Sequence, residues 1–336
     1  MKAVLMTAVG GPDVLQVGTL ERPSPGPGEL LVRVAAAGVN PLDTKVRSLH
    51  MFHPGHLPAV LGCDGAGTVA ATGDGVHRFR PGDEVYYFDK GLGGAPGSYA
   101  EYTVVHEDHA AAKPGSLSMV EAAAVPLVLI TAWEALVDRV GLRTGETALI
   151  HAGAGGVGHV AIQLARHLGA RVATTVGGPE KTALAEALGA ERVIDYRARN
   201  FVQETLDWTG GAGADVVLDT LGGKTFCESF GAVRPYGRLA TLLSTVCEMA
   251  QVNTARQRNL VIGYVQMTAP LYLNQHEQRR RQTRILEAGA RLIDEGRLKV
   301  VVGKVFGLED AAAAHAFVQA GHATGKVVLE VQRGAR

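Results

Sequence analysis

The run His151-Ala152-Gly153-Ala154-Gly155-Gly156-Val157-Gly158 places Gly153, Gly155 and Gly158 at the spacing G-x-G-x-x-G. Small residues in such a turn let backbone amides, rather than side chains, meet a ligand. Alone the pattern is weak. Here an apolar strand over 147–152 runs directly into it, and an amphipathic helix over 157–168 opens from it, with Val160, Ala161, Leu164, Ala165 and Leu168 on one face. In that context the three glycines do different things. Gly153 makes the tight turn, Gly155 admits a pyrophosphate to the backbone, and Gly158 lets helix and strand pack closely. The amides of Gly156, Val157 and Gly158 then lie at the helix N-terminus, where the helix dipole favours phosphate charge. The run reads as a dinucleotide site.

The second strand, 171–176, leads into Gly177-Gly178-Pro179-Glu180-Lys181. A site for NAD puts Asp or Glu at the end of this strand to bind the ribose 2′-hydroxyl. Gly177 stands there instead and removes both the charge and the bulk. Lys181, one helical turn on, can neutralise a 2′-phosphate, and Tyr196, ending the third strand, can add a hydroxyl. Glu180 is the opposing charge, and in the first turn of a helix it serves the dipole. The expected cofactor is NADPH. Ser244, just past a later strand, lies where doubly wound sheets bind ligands.

These residues need a scaffold, and the chain changes rhythm at about residue 120. Before it, short β-rich runs at 2–6, 14–20, 30–36, 68–72 and 85–88 are separated by turns such as Ser24-Pro25-Gly26-Pro27-Gly28. That spacing predicts a barrel-like β unit. A capping box, Ser118 with Glu121, opens the next region. Strands are then predicted at 147–152, 171–176, 192–196, 215–220, 238–243 and 259–265, with helices at 157–168, 180–188, 201–206 and 224–233 between the earlier ones. Strands alternating with helices imply βαβ units and a doubly wound parallel sheet. The tail, with helices at 275–295 and 309–320 and strands at 300–305 and 326–331, leaves that rhythm.

The chain has 336 residues, 33 Lys+Arg and 33 Asp+Glu, so its formal net charge is zero. It carries no basic signature for nucleic acid or an anionic membrane. Arg279-Arg280-Arg281 with Arg284 reads as a solvated helix face. No apolar stretch reaches the ~20 residues that span a bilayer. The start, MKAVLMTAVGGPD, has no long apolar core or cleavage region, so no secretory signal is expected and the protein is expected to be cytoplasmic. Three cysteines, Cys63, Cys227 and Cys247, are too few and too separated for a disulfide framework or closed metal site, and the last two are expected to act as small apolar side chains.

Several further segments fall in a fixed order: Ala37–Thr44 (AGVNPLDT), Gly62–Gly67 (GCDGAG), Arg80–Val85 (RPGDEV), Gly97–Tyr102 (GSYAEY), the glycine loop, 215–223 and Gly325–Leu329 (GKVVL). On these the chain resembles the medium-chain dehydrogenase/reductase superfamily, on its zinc-independent quinone oxidoreductase (zeta-crystallin-like) side. The resemblance implies an α/β protein: a GroES-like β-barrel domain, 1–122, completed by 266–336, and a Rossmann domain, 123–265, with the active site in the cleft. It also implies a homodimer or homotetramer, with 260–265 as the pairing strand. By the same resemblance Asn40 and Thr131 approach the nicotinamide, Lys326 belongs to the cofactor site, and Lys45 and Met51 replace two tyrosines of the quinone pocket.

Zinc is not expected. The zinc alcohol dehydrogenases of the superfamily place Cys and His ligands where this chain has Asn40 and Cys63, and Asn is a poor zinc ligand. The cysteines of a structural zinc lobe are missing between Tyr86 and Ala100. His50, His53 and His56 form a competing cluster, read as surface or cleft residues. Without a metal, a hydride donor suits acceptors that hold charge after attack, a quinone or an α,β-unsaturated carbonyl, with Asn40, Thr131 or a backbone amide donating to the oxyanion. Two alternatives stand beside this: an enoyl-thioester reductase, with Lys45, Arg47 and Arg279–Arg284 as a basic mouth, and a non-catalytic NADPH-binding protein.

Overall fold

Eleven residues from Glu29 to Val39 form the longest strand of the β-rich part, β3, and its neighbours are set by which faces are apolar. In chain order the strands are β1 (Lys2–Met6), β2 (Leu15–Thr19), β3, β4 (Asp64–Thr72), β5 (Glu84–Phe88), β6 (Tyr102–His106) and β7 (Ala110–Ala112). There follow β8 (Thr147–Ile150), β9 (Arg171–Val176), β10 (Arg192–Asp195), β11 (Ala214–Asp219), β12 (Val233–Thr241), β13 (Val261–Tyr264), β14 (Val302–Gly307) and β15 (Lys326–Glu330). The computed structural model describes residues 1–49, 56–243, 245–321 and 323–332. Two units result: Met1–Leu127 with Thr268–Gly296 and Val300–Arg336, and Val128–Met267 with Arg297–Lys299.

In the first unit the sheet order is β14-β15-β3-β4-β5-β7, with β6 also paired to β3, and β1-β2 form a separate ladder. Only β14 and β15 run parallel; the other pairs are antiparallel. Leu30, Val32, Val69, Val85, Tyr87 and Val105 fill its core. The C-terminal tail thus returns to the N-terminal sheet, with β15 paired to β3 and β14 to β15. The helix Pro41–Leu49 was not visible in the sequence pattern. It starts because Pro41 fits a first helical turn and Asp43 takes the backbone N–H of Asn40 at 2.8 Å.

The second unit is a six-stranded sheet, order β10-β9-β8-β11-β12-β13, parallel throughout. This is the doubly wound Rossmann order, with its topological switch between β8 and β11. Leu149, Ala173, Ile194, Val217, Phe226, Phe230 and Leu239 make its core. The helix predicted over 224–233 ends at Ser229, where Gly231 N–H turns back to Glu228 O and Ala232 N–H to Ser229 O, and β12 begins at Val233. A further helix, Met249–Gln257, opens on a capping box of Glu248 and Gln251.

Two expectations are corrected. Cys227 and Cys247 are not separate apolar side chains; they form a disulfide, with Cα atoms 5.6 Å apart. Distance along the chain misled: helix Gly223–Ser229 and β12 bring position 247 back to position 227. Nor is Arg279 solvated. It is buried, donating to Phe88 O at 2.5 Å and pairing with Asp89 at 3.0 Å. Arg280 and Arg284 keep the surface role, both paired with Glu277.

Candidate functional site

The glycine loop joins β8 to the helix Gly156–His167. Thr175 binds it to β9: its hydroxyl accepts Ala152 N–H at 3.1 Å and its carbonyl accepts Gly153 N–H at 3.0 Å. The left-handed residue of the turn is Ala152, at φ 53°, not Gly153. Gly153 instead removes a side chain that would strike Ile162 Cδ1 at 2.8 Å and the Thr174 hydroxyl. A Cβ on Gly158 would run into the Ala152 carbonyl, whereas Gly155 is crowded only by that carbonyl, at 3.1 Å. Gly155 is the N-cap and offers no side-chain cap, so the amides of Gly156, Val157 and Gly158 have no partner among the described residues. Three such N–H groups at the start of a twelve-residue helix fit a pyrophosphate.

His151, where the loop begins, is buried between the hydroxyls of Thr175 at 3.1 Å and Ser229 at 2.9 Å. Burial holds its pKa down at about 4, outweighing the nearby Asp219 charge, so the ring is a neutral strut.

At the end of β9 the structure brings Gly177 and Tyr196 together and adds a residue that the sequence reading missed. A Cβ on Gly177 would meet the Tyr196 hydroxyl at 2.9 Å and Arg197 Nε at 3.1 Å; one on Gly178 would meet an Arg197 terminal nitrogen at 3.5 Å. Lys181 follows in the first turn of helix Pro179–Ala187. The signal for Arg197 was available, since it directly follows Tyr196. Ser244 lies outside the described residues. Thr131 is buried in the helix Pro126–Trp133, which runs on into a π-helical stretch, Glu134–Arg139.

In the first unit β3, β4 and β15 converge on a buried polar centre. Register explains it: Val327 lies opposite Val39 and Gly65 opposite Ala37, so Lys326, Asn40 and Asp64 come to one end of the sheet. Asn40 Nδ2 donates to Asp64 Oδ1 at 2.8 Å, and Asn40 Oδ1 accepts from the Lys326 ammonium. Lys326 also reaches Val39 O at 3.3 Å and stands 3.9 Å from Asp64 Oδ2. Its ammonium, expected at the cofactor, is thus engaged by Asn40 and its neighbours.

A second chain of bonds supports the same turn. Arg47 Nε donates to His315 Nδ1 at 3.3 Å, which leaves the imidazole hydrogen on Nε2, 3.1 Å from the Tyr99 hydroxyl. Tyr99 in turn donates to Asp43 Oδ2 at 3.4 Å. Burial, then the Asp64 charge, push Asp43 up to about 7. Burial and Arg47 hold His315 down at about 3. Arg47 is fully buried and also bonds Gly10 O and Gln319. It and Arg279 cannot form the basic mouth considered for a thioester substrate. Lys45 is half-buried on the same helix as Arg47, and Met51 lies outside the described residues.

This centre does not fit zinc. Cys63 is buried, its thiol points to Asp43 Oδ1 at 3.8 Å, and burial pushes it well above the ordinary thiol range. An amide and an ammonium already bonded to that amide supply no zinc ligand, and the ammonium adds positive charge 3.9 Å from Asp64. Among the described residues no three His, Cys, Asp or Glu side chains gather to hold a metal; His50 and His53 lie outside them. Nor, among those residues, is any helix long and apolar enough to cross a membrane.

Comparison with known proteins agrees with this architecture. The alcohol dehydrogenase GroES-like domain matches residues 26–115, and the zinc-binding dehydrogenase family matches residues 188–329. The quinone oxidoreductase of Pseudomonas aeruginosa is 35% identical over 98% of this chain and 99% of its own. A solved NAD-dependent alcohol dehydrogenase is 37% identical with a TM-score of 0.89, over 99% of this chain and 100% of that one. The Escherichia coli quinone oxidoreductase, solved with NADPH, is 30% identical with a TM-score of 0.87, over 98% of this chain and 100% of that one. The fold and these full-length likenesses agree: the chain belongs to the quinone oxidoreductase branch of the medium-chain dehydrogenase/reductase superfamily, a family of NADPH-dependent enzymes.

Proposed function

We propose that the protein reduces quinones or α,β-unsaturated carbonyls with NADPH, by hydride transfer and without zinc. The observation that carries this reading is the glycine loop: the amides of Gly156, Val157 and Gly158 open a twelve-residue helix with no partner among the described residues, in a chain whose full-length relatives include quinone oxidoreductases.

NADPH, when bound, supplies the hydride. Gly156, Val157 and Gly158 offer amides to the pyrophosphate, and Arg197, Lys181 and Tyr196 surround the place of the 2′-phosphate. Gly177 keeps that place free of the carboxylate that would select NAD. Asn40 and Thr131 remain the candidate catalytic residues. The replacement of two pocket tyrosines by Lys45 and Met51 favours acceptors that need no aromatic stacking, so the enone class stands beside the quinones. We also assign the protein as a homo-oligomer, for which the exposed edge strand β13 is the candidate surface.

The test is oxidation of NADPH, and separately NADH, followed at 340 nm with EDTA present. The acceptors are 9,10-phenanthrenequinone, 1,4-benzoquinone, an alkenal and crotonyl-CoA. Turnover of a quinone or the alkenal with NADPH is expected to survive EDTA. Turnover of crotonyl-CoA alone would reassign the protein as a thioester reductase, and NADPH binding without any turnover would make it a non-catalytic binder.

A further inference from the structure

Adjacent threonines on β9 use their hydroxyls in opposite ways. Thr174 donates to Ile150 O at 2.6 Å, whereas Thr175 accepts the Ala152 N–H at 3.1 Å. The difference lies in what takes the Thr175 hydrogen. We propose that His151 is a positioning residue for the pyrophosphate of the dinucleotide: it takes that hydrogen, turns the Thr175 oxygen toward Ala152, and so fixes the turn from which the Gly156, Val157 and Gly158 amides open. This rests on the reading of the glycine loop given above and adds what holds the loop in shape.

Every hydrogen in the chain of bonds has a definite place. A hydroxyl has one hydrogen, a carbonyl oxygen has none, and a neutral imidazole carries one N–H. Ser229 gives its hydrogen to Thr225 O at 2.6 Å, so toward His151 it can only accept, at 2.9 Å, and the ring hydrogen stands on Nε2. Burial keeps the ring neutral, which leaves Nδ1 as an acceptor. Thr175, 3.1 Å from Nδ1, donates there and keeps its lone pairs for the backbone. His151, Thr175 and Ser229 are all buried, where a lost bond is not readily replaced.

Ala152 needs such a hold. It is the left-handed residue of the turn, at φ 53°, a conformation that a Cβ disfavours. Its N–H goes to Thr175, and its carbonyl accepts the Gly155 N–H at 2.8 Å, where the helix Gly156–His167 begins. Turning this peptide would therefore move the three amides that face the ligand. His151 itself has little freedom. Its backbone N–H goes to Leu218 O at 3.0 Å, and its carbonyl accepts the Thr220 hydroxyl at 3.0 Å. Phe201 packs edge-on against the ring, with centroids 4.8 Å apart. β8, β9, β11 and the helix Gly223–Ser229 thus meet on one residue beside the glycine loop.

The test compares His151→Leu, His151→Asn, His151→Gln, Thr175→Val and the double variant His151→Leu/Thr175→Val. NADPH and NADH are titrated by fluorescence, and phosphorus NMR spectra are taken of NADPH bound at saturation. His151→Leu and Thr175→Val are expected to bind both cofactors about 10-fold more weakly, because the pyrophosphate is common to them. His151→Asn, which keeps an acceptor at the δ position, should recover most of the loss. His151→Gln, which reaches the ε position only, should not. The double variant should bind no more weakly than Thr175→Val alone. The pyrophosphate resonances of bound NADPH are expected to move in His151→Leu, and that of the 2′-phosphate to stay. Thr175→Val, close to isosteric, and His151→Gln carry the same comparisons should His151→Leu fail to fold.

Unchanged affinity in the single variants, weakening confined to NADPH, additive losses in the double variant or unmoved pyrophosphate resonances would overturn the proposal. So would equal losses in His151→Asn and His151→Leu, since the ring would then serve by its shape and not as an acceptor. A wild-type protein that binds neither cofactor would instead overturn the reading of the glycine loop.

Discussion

Arg197 leans against Gly177, its Nε 3.1 Å from the place where a Cβ on that glycine would stand. An aspartate at 177 would put its carboxylate into this guanidinium and the Tyr196 hydroxyl, occupying the proposed 2′-phosphate position. Gly177→Asp is therefore expected to lower NADPH affinity strongly and to improve NADH binding. Arg197→Ala removes one charge-assisted bond, ~1.5–3 kcal/mol, so NADPH should bind about 10- to 100-fold more weakly while NADH is unaffected. Fluorescence titration of both cofactors checks this. Equal weakening for NADPH and NADH would remove Arg197 from the phosphate site.

The buried titratable groups make stability depend on pH from both sides. An unfolded histidine takes up a proton below about 6.5. Folded His151 stays neutral down to about 4 and His315 to about 3. Their contribution is complete above about 6.5 and is lost as the pH falls from there. Asp43 has the opposite sign. Its folded carboxyl keeps the proton to about 7, while an unfolded aspartate releases it near 3.9. Its contribution is present below about 3.9 and is lost as the pH rises through 7. The two slopes oppose each other over the same range, so urea unfolding at steps between about pH 4 and 8 should show His151→Asn losing less stability than the wild type as the pH falls below about 6.5, and Asp43→Asn losing less as the pH rises from about 4 to 7. A variant with the wild-type slope in that range rules out its group as a source.

Much of this architecture is legible in the order of the residues alone. β9 has the predicted bounds, and the glycine loop announced the Rossmann unit because strand, turn and helix are consecutive there. What stayed hidden depends on contacts between distant segments. No local pattern marks Arg47 as a buried donor to His315, 268 residues away. A run of arginines looks solvated until the end of β5 supplies Phe88 O, and the residue after it Asp89, for Arg279. Lys326 and Asn40 were each singled out, but only the β15–β3 register puts the ammonium on the amide.

The parallel sheet ends in β13, whose only partner among the described residues is β12. Val261 and Tyr264 on this strand are exposed, and a bare edge carrying apolar side chains invites a second copy. Two such edges meeting about a two-fold axis would continue the sheet through both subunits. Light scattering is expected to give at least twice the mass of the chain. The pair Val261→Lys and Tyr264→Lys should reduce it by placing like charges across the axis. A multimer indifferent to these charges must assemble through another surface.

The Cys227–Cys247 bond closes a 20-residue separation around β12 and the loop that follows it. Thr245 of this loop accepts the Gly223 N–H at 2.8 Å, and Glu248 at its end caps the helix Met249–Gln257. The loop is therefore anchored at both ends, and the covalent link mainly restricts the unfolded chain. By loop-closure entropy, a ring of this size is worth about 3 kcal/mol. Cys227→Ser/Cys247→Ser, or reduction of the wild type, should lower the unfolding free energy by that order while leaving the folded sheet intact. Urea unfolding with and without reductant checks it, because the double serine variant must then be insensitive to reductant. Equal stability of oxidised and reduced wild type would mean that the two anchors alone hold the loop and that the bond adds nothing to them.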